Sequence, residues 1–159
     1  MTIRQTIDKL LERFLAALMA ILVFDVLWQV ISRYVLSSPS SFTDELAGFL
    51  LIWVGLFGSA YVAGKNQHLA IDLMLQKAGH RRRRVLEVFI SLCIIIFAFT
   101  VLMVGGSWLV YTRFALDVKS AALEIPLGYV YIVLPISGLL IVFFTADNLA
   151  TFLKTKKEA

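Results

Sequence analysis

FLAALMAILVFDVLWQVISRYVL, residues 14–36, is an apolar run interrupted only by Asp25, Gln29, Ser32 and Arg33. Crossing the hydrocarbon of a bilayer as a helix takes about 20 mostly apolar residues. The run is long enough to span, and too long for the apolar core of a secretory signal. It also carries three strongly polar side chains and lacks an A-x-A-like exit, so it reads as a retained helix.

Three more runs of the same kind follow: LAGFLLIWVGLFGSAYVAG (46–64), VLEVFISLCIIIFAFTVLMVGGSWLVY (85–111) and PLGYVYIVLPISGLLIVFFTADNLA (126–150). The third is long enough to need tilt or a protruding end. With 60% hydrophobic residues and a mean hydropathy of +0.85, the 159-residue chain is more apolar than a soluble domain of this size can bury. No alternating ten-residue pattern points to a barrel. The expectation is an all-α membrane protein: four transmembrane helices in one integral membrane domain covering 1–159.

The basic residues alternate between the connections. Twelve fall before the first run, between the second and third, and after the fourth. Only Arg113 and Lys119 fall in the other two connections. By the positive-inside rule both termini and the 65–84 connection are expected in the cytoplasm. HRRRR (80–84) is the densest part of this signal. Arg81, Arg82, Arg83 and Arg84 are expected to fix topology and touch anionic lipid headgroups. A nucleic-acid surface would want basic residues interleaved with stacking aromatics, which this loop does not offer, so no nucleic-acid partner is expected.

Two stretches read as amphipathic interfacial segments. In IRQTIDKLLERF, Ile3, Ile7, Leu10, Leu11 and Phe14 share a face. HLAIDLMLQKAG (68–79) is similar but less regular. Tyr34, Trp108, Tyr111, Tyr129 and Tyr131 gather toward the opposite side as an aromatic belt. Ser41 stands three residues before Asp44, a capping-box-like start for the second span. Pro126 suits a helix start, and Pro135 is expected to kink the fourth span.

Chemistry-bearing candidates are few. Asp25 sits at the middle of the first span, where a carboxylate costs roughly 2.5–3.5 kcal/mol on insertion scales. It is either a proton or cation site or a structural acid held by Gln29 or a neighbouring helix. Asp25, Gln29 and Arg33 recur at a spacing of four and are read as a stripe facing another helix. Gly55, Ser59 and Ala63 form a small-xxx-small ladder on the second span. Glu45, Phe49 and Trp53 form another face. Asp44 and Glu45, beside Ser40 and Ser41, give an acidic mouth that either caps the helix or meets a partner by charge. There is no phosphate-binding loop. The single cysteine, Cys93, lies in an apolar run, and the histidines, His68 and His80, lie in a loop, so neither a metal site nor a haem is expected and no cofactor is assigned.

These residues, in order, resemble a known family. ISRYVL, then SSFTDELAGFLLIWVGLFGSAYVAGKNQHLAIDLM, then SAALEIPLGYVYIVLPISGLL are similar to the small membrane subunit, of DctQ/SiaQ type, of tripartite ATP-independent periplasmic (TRAP) transporters. The likeness runs from about residue 18 to 150. It departs at Thr43, where an aromatic residue often precedes the acidic pair. The resemblance implies a non-catalytic subunit in the bacterial inner membrane. Its expected partners are a large permease and a periplasmic substrate-binding protein, in a sodium-coupled importer of carboxylated solutes such as sialic acid or C4-dicarboxylates. Asp25, Gln29, Arg33, Glu45, Trp53, Gly55, Ser59 and Ala63 are then candidates for the permease seam. Ser40, Ser41, Asp44 and Glu45 are candidates for docking the binding protein. The alternative is a small four-helix, homo-oligomeric, proton-coupled exporter that uses Asp25.

Overall fold

A computed structural model describes residues 3–38, 40–65 and 80–155. α1 runs without a break over Ile3–Tyr34, and α2 over Ser41–Gly64. The third span starts as α3 (His80–Phe97), passes through a π-helical stretch (Ala98–Gly105) and ends as α4 (Gly106–Ala115). The fourth comprises α5 (Leu127–Tyr131) and α6 (Val133–Thr155). All four spans are long and apolar enough to cross a membrane.

The amphipathic stretch read at 3–14 is the first third of α1. At 32 residues α1 is about 48 Å long, well beyond the hydrocarbon core. From Asp8 onward its buried or half-buried positions, 8, 11, 15, 18, 22, 25, 29 and 32, alternate steps of three and four. That is the 3.5-residue seam of a helix packed at a shallow angle, and α1 packs along α2. The other amphipathic stretch, 68–79, lies outside the described residues.

The spans form a row in the order first, second, fourth, third. α6 holds the middle, touching α2 on one side and the third span on the other. Val133 and Phe144 are fully buried there, with Ala60 of α2 and Ala98 of the third span. Large apolar side chains such as Phe24, Phe89 and Trp108 stay exposed around the rim, as a lipid solvent permits.

Pro135 breaks the fourth span one turn before itself. A proline cannot donate to the carbonyl four residues back, which is Tyr131, and the helix is interrupted at Ile132. The third span packs hard against this break. A Cβ on Gly106 would lie 2.8 Å from Leu134 Cβ and 3.3 Å from the Pro135 nitrogen. A Cβ on Gly138 would lie 2.8 Å from Leu102 Cβ and 3.2 Å from the Ala98 carbonyl. These two glycines let the backbones approach.

The start of α2 differs from the capping box expected at Ser41. Ser41 is already helical, and Ser40 occupies the cap position without a side-chain cap bond. Thr43 Oγ1 turns back to donate to Ser40 O at 3.0 Å. Asp44 is drawn to Arg33 instead, at 3.4 Å.

Candidate partner-facing surfaces

At the end of the bundle away from the chain termini, a loop over residues 116–126 joins the third and fourth spans. It is shaped by a bridge between Lys119 and Pro126, with Asp117 and Glu124 at positive φ. Glu45, from the first turns of α2, reaches into it. Its carboxylate accepts from the amides of Ala121 (3.0 Å), Ala122 (2.7 Å) and Leu123 (3.0 Å), and from Ser120 Oγ (2.9 Å). Successive amides aimed at one carboxylate make an anion nest. Glu45 is therefore engaged within the chain, as the anchor of this loop.

Two turns further into the membrane region, Trp53 Nε1 donates to Val130 O at 2.9 Å. Its ring meets those of Phe14 and Phe57 at 6.5 and 5.9 Å. Trp53 thus ties α2 to α5 and α1. Tyr131, on the same short helix, lies under the Arg113 guanidinium at 5.8 Å.

The stripe Asp25, Gln29, Arg33 does not stay on one face. Spacing four drifts by about 40° per step on a 3.6-residue helix. Asp25 is buried at 9% exposure, Gln29 is half-buried, and Arg33 has turned outward, while Ser32 takes the next buried place. Asp25 Oδ2 has no hydrogen-bond partner. Arg33 and Asp44 form an exposed bridge across the α1–α2 turn. Ser40 is half-buried and Ser41 exposed beside them.

The small-residue ladder divides as well. Ala63 is buried, whereas Gly55 and Ser59 face outward, and nothing lies within 4 Å of a Cβ placed on Gly55. They belong to a longer exposed stripe with Gly48, Leu51, Ile52 and Val62. These positions fall within about 100° of one another around α2. Sequence reasoning missed Gly48, Leu51, Ile52 and Val62 because it sought a step of four, and the stripe steps by three and four.

At the termini end, Arg4 donates to Asp147 Oδ2 (2.6 Å), Asn148 Oδ1 (2.6 Å) and Gly64 O (2.8 Å), and Asn148 Nδ2 donates to Ala63 O (2.9 Å). This clamp joins α1, α2 and α6 and places both chain ends on one side of the bundle. Arg81–Arg84 lie in the first turn and a half of α3, and their side chains fall outside the described residues. Among the described residues no three His, Cys, Asp or Glu side chains are grouped to hold a metal ion.

Two surfaces thus stand out: an exposed stripe of α2 that no described helix covers, and a loop braced by Glu45. The family described as tripartite ATP-independent periplasmic transporters, DctQ component, matches residues 18–155. The chain belongs to this family. A TRAP transporter small permease protein of Haemophilus influenzae is 26% identical over 137 residues, covering 85% of this chain and 82% of the relative. The sialic acid TRAP transporter small permease protein SiaQ of Vibrio cholerae is 23% identical over 152 residues, 96% of this chain and 86% of the relative. The sialic acid TRAP transporter permease protein SiaT of Haemophilus influenzae is 26% identical over 134 residues; the match takes in 84% of this chain but only 21% of that longer protein. This DctQ-family chain is a TRAP small permease subunit, a multi-pass protein of the bacterial inner membrane, and a transport component rather than an enzyme.

Proposed function

We propose that this subunit braces the large permease of a sodium-coupled TRAP importer of carboxylated solutes, through the Gly48–Gly55–Ser59 stripe of α2. The observation that carries the reading is the stripe itself. Its small residues, Gly48, Gly55 and Ser59, face outward between Leu51, Ile52 and Val62, uncovered by any described helix of the chain. In a bilayer, helix association relies on close packing, which small residues allow and a lipid-facing surface does not need. The match to one fifth of a longer permease protein supports a working arrangement with a large membrane partner. The count of basic residues supports cytoplasmic termini, which puts Glu45 and the 116–126 loop on the periplasmic side. There the loop, with Asp44 and Ser41 beside it, helps to dock the substrate-binding protein. Substrate choice belongs to the partners; sialic acid or a C4-dicarboxylate fits the family.

The test is purification of this chain from its own membrane in mild detergent. A stoichiometric larger polytopic protein is expected to co-elute, and Gly55→Leu is expected to release it while the subunit stays folded. Recovery of a homo-oligomer that moves solutes alone in vesicles, and stops on Asp25→Asn, would instead establish the exporter.

A further inference from the structure

Near the termini end, α1, α2 and α6 border a narrow cleft. Its lining is Ile7, Leu10, Leu11 and Phe14 of α1, Phe57 of α2 and Leu140 of α6, and its volume is about 260 Å³. Every lining residue is apolar. The cleft opens sideways, because Leu10 is 69% exposed and Phe14 39%. It is smaller than the roughly 300–1,000 Å³ typical of small-molecule sites, and far too narrow for a helix about 10 Å across. A single extended hydrocarbon chain suits that shape.

The flank of the cleft is charged with one sign. Arg13 and Lys9 lie about 60° and 100° around α1 from Leu10, on the side away from Leu11, whereas Glu12 lies about 160° from Leu10, on the far side of the helix. Both basic side chains are exposed, and neither has an ion-pair partner among the described residues. Arg4, by contrast, is committed to Asp147 and Asn148. Long basic side chains at a helix end lay their stems on apolar surface and carry the charge to the headgroup layer.

We propose that this cleft seats one acyl chain of an anionic phospholipid, with its headgroup phosphate held by Arg13 and Lys9. The site is separate from the proposed permease seam, because Phe57 lies about 160° around α2 from Gly55. It rests only on the chain being a membrane protein, so it can fail while the brace reading stands, and the reverse.

Trp53 supplies the probe, since its ring touches both Phe14 and Phe57 of the cleft. Trp28 and Trp108 are exposed and can be replaced by phenylalanine, leaving Trp53 as the sole indole of the full-length chain. The chain is reconstituted in phosphatidylcholine vesicles containing a minor fraction of brominated phosphatidylglycerol or, separately, brominated phosphatidylcholine. The anionic quencher is expected to occupy the site on the order of fivefold more than the zwitterionic one at equal mole fraction. The Lys9→Gln, Arg13→Gln double variant is expected to make the two quenchers equivalent. A second reporter chain, carrying only Trp108 at the opposite end, is expected to show no preference. Equal quenching of Trp53 by both lipids would mean ordinary boundary lipid and overturn the proposal. So would no quenching by either lipid, or a preference that survives the double variant.

Discussion

Alanine placed at Gly138 and at Gly55 should move stability in opposite directions. At Gly138 the new methyl would sit 2.8 Å from Leu102 Cβ, 3.0 Å from Met103 Cγ and 3.2 Å from the Ala98 carbonyl. Carbon pairs prefer about 3.5–4.0 Å, so the helices must part by several tenths of an ångström. Leu102 Cβ and the Ala98 carbonyl are fixed to the backbone and cannot swing aside. Overpacking of this kind costs about 1–3 kcal/mol, and the helix preference for alanine over glycine returns roughly 0.5–1, leaving a net loss of about 1–2. At Gly55 no atom lies within 4 Å of the added methyl, so only the gain of roughly 0.5–1 kcal/mol applies to the isolated subunit. Reversible unfolding of the purified subunit in detergent, followed by circular dichroism, measures both. Co-purification then asks whether Gly55→Ala, harmless alone, weakens the complex. A Gly138→Ala subunit as stable as the parent, or a Gly55→Ala subunit less stable when isolated, would refute the packing argument.

Other side chains make further predictions. Trp53→Phe keeps the ring contacts but leaves the Val130 carbonyl without its donor, and should cost about 1–2 kcal/mol in the same titration. Arg4→Ala should cost about 1–2 kcal/mol, less than three buried bonds would suggest, because the Asp147 side chain is 42% exposed and water replaces part of the loss. Glu45→Gln should leave the helices intact while the amides of Ala121, Ala122 and Leu123 exchange faster with deuterium. Unchanged exchange there would show that the loop holds itself.

The four spans were legible because each is a local property of composition. The read bounds 14–36, 46–64, 85–111 and 126–150 fall on α1, α2, the third span and the fourth. The ends were less legible. α4 runs on to Ala115, past the read end at 111, and there Arg113 meets the Tyr131 ring, a contact between residues in different spans. The break before Pro135 was readable from the missing amide alone. Asp25 was marked as anomalous and is buried, but its stripe was drawn at a spacing of four where the packing follows 3.5, and so Arg33 lies on a different face. Glu45 and Trp53 were picked out as partner-facing, and both turn inward to partners more than seventy residues away. Nothing local announces that the 120–123 turn will curl its amides around Glu45. The Arg4 clamp escaped for the same reason, since its partners lie at the far end of the chain.

The π-helical stretch, finally, makes chain length itself a carrier of information. Each α-helical residue advances the spiral by about 100°, and a π-helical residue by less. The faces of α3 and α4 are therefore set out of phase by the eight residues between them. Removing one residue from 98–105 could restore a regular spiral. Because seven α-helical residues turn through nearly the same angle as eight π-helical ones, that deletion would leave the faces beyond it close to where they are, whereas one added residue would swing them by about 100°, carrying Gly106 off Pro135 and the Phe114 ring off Gly128. A connection between helices can absorb an added residue, but this segment cannot. The subunit should tolerate many exchanges of one greasy side chain for another here, yet very few insertions. Its most monotonous sequence is the part whose count matters most.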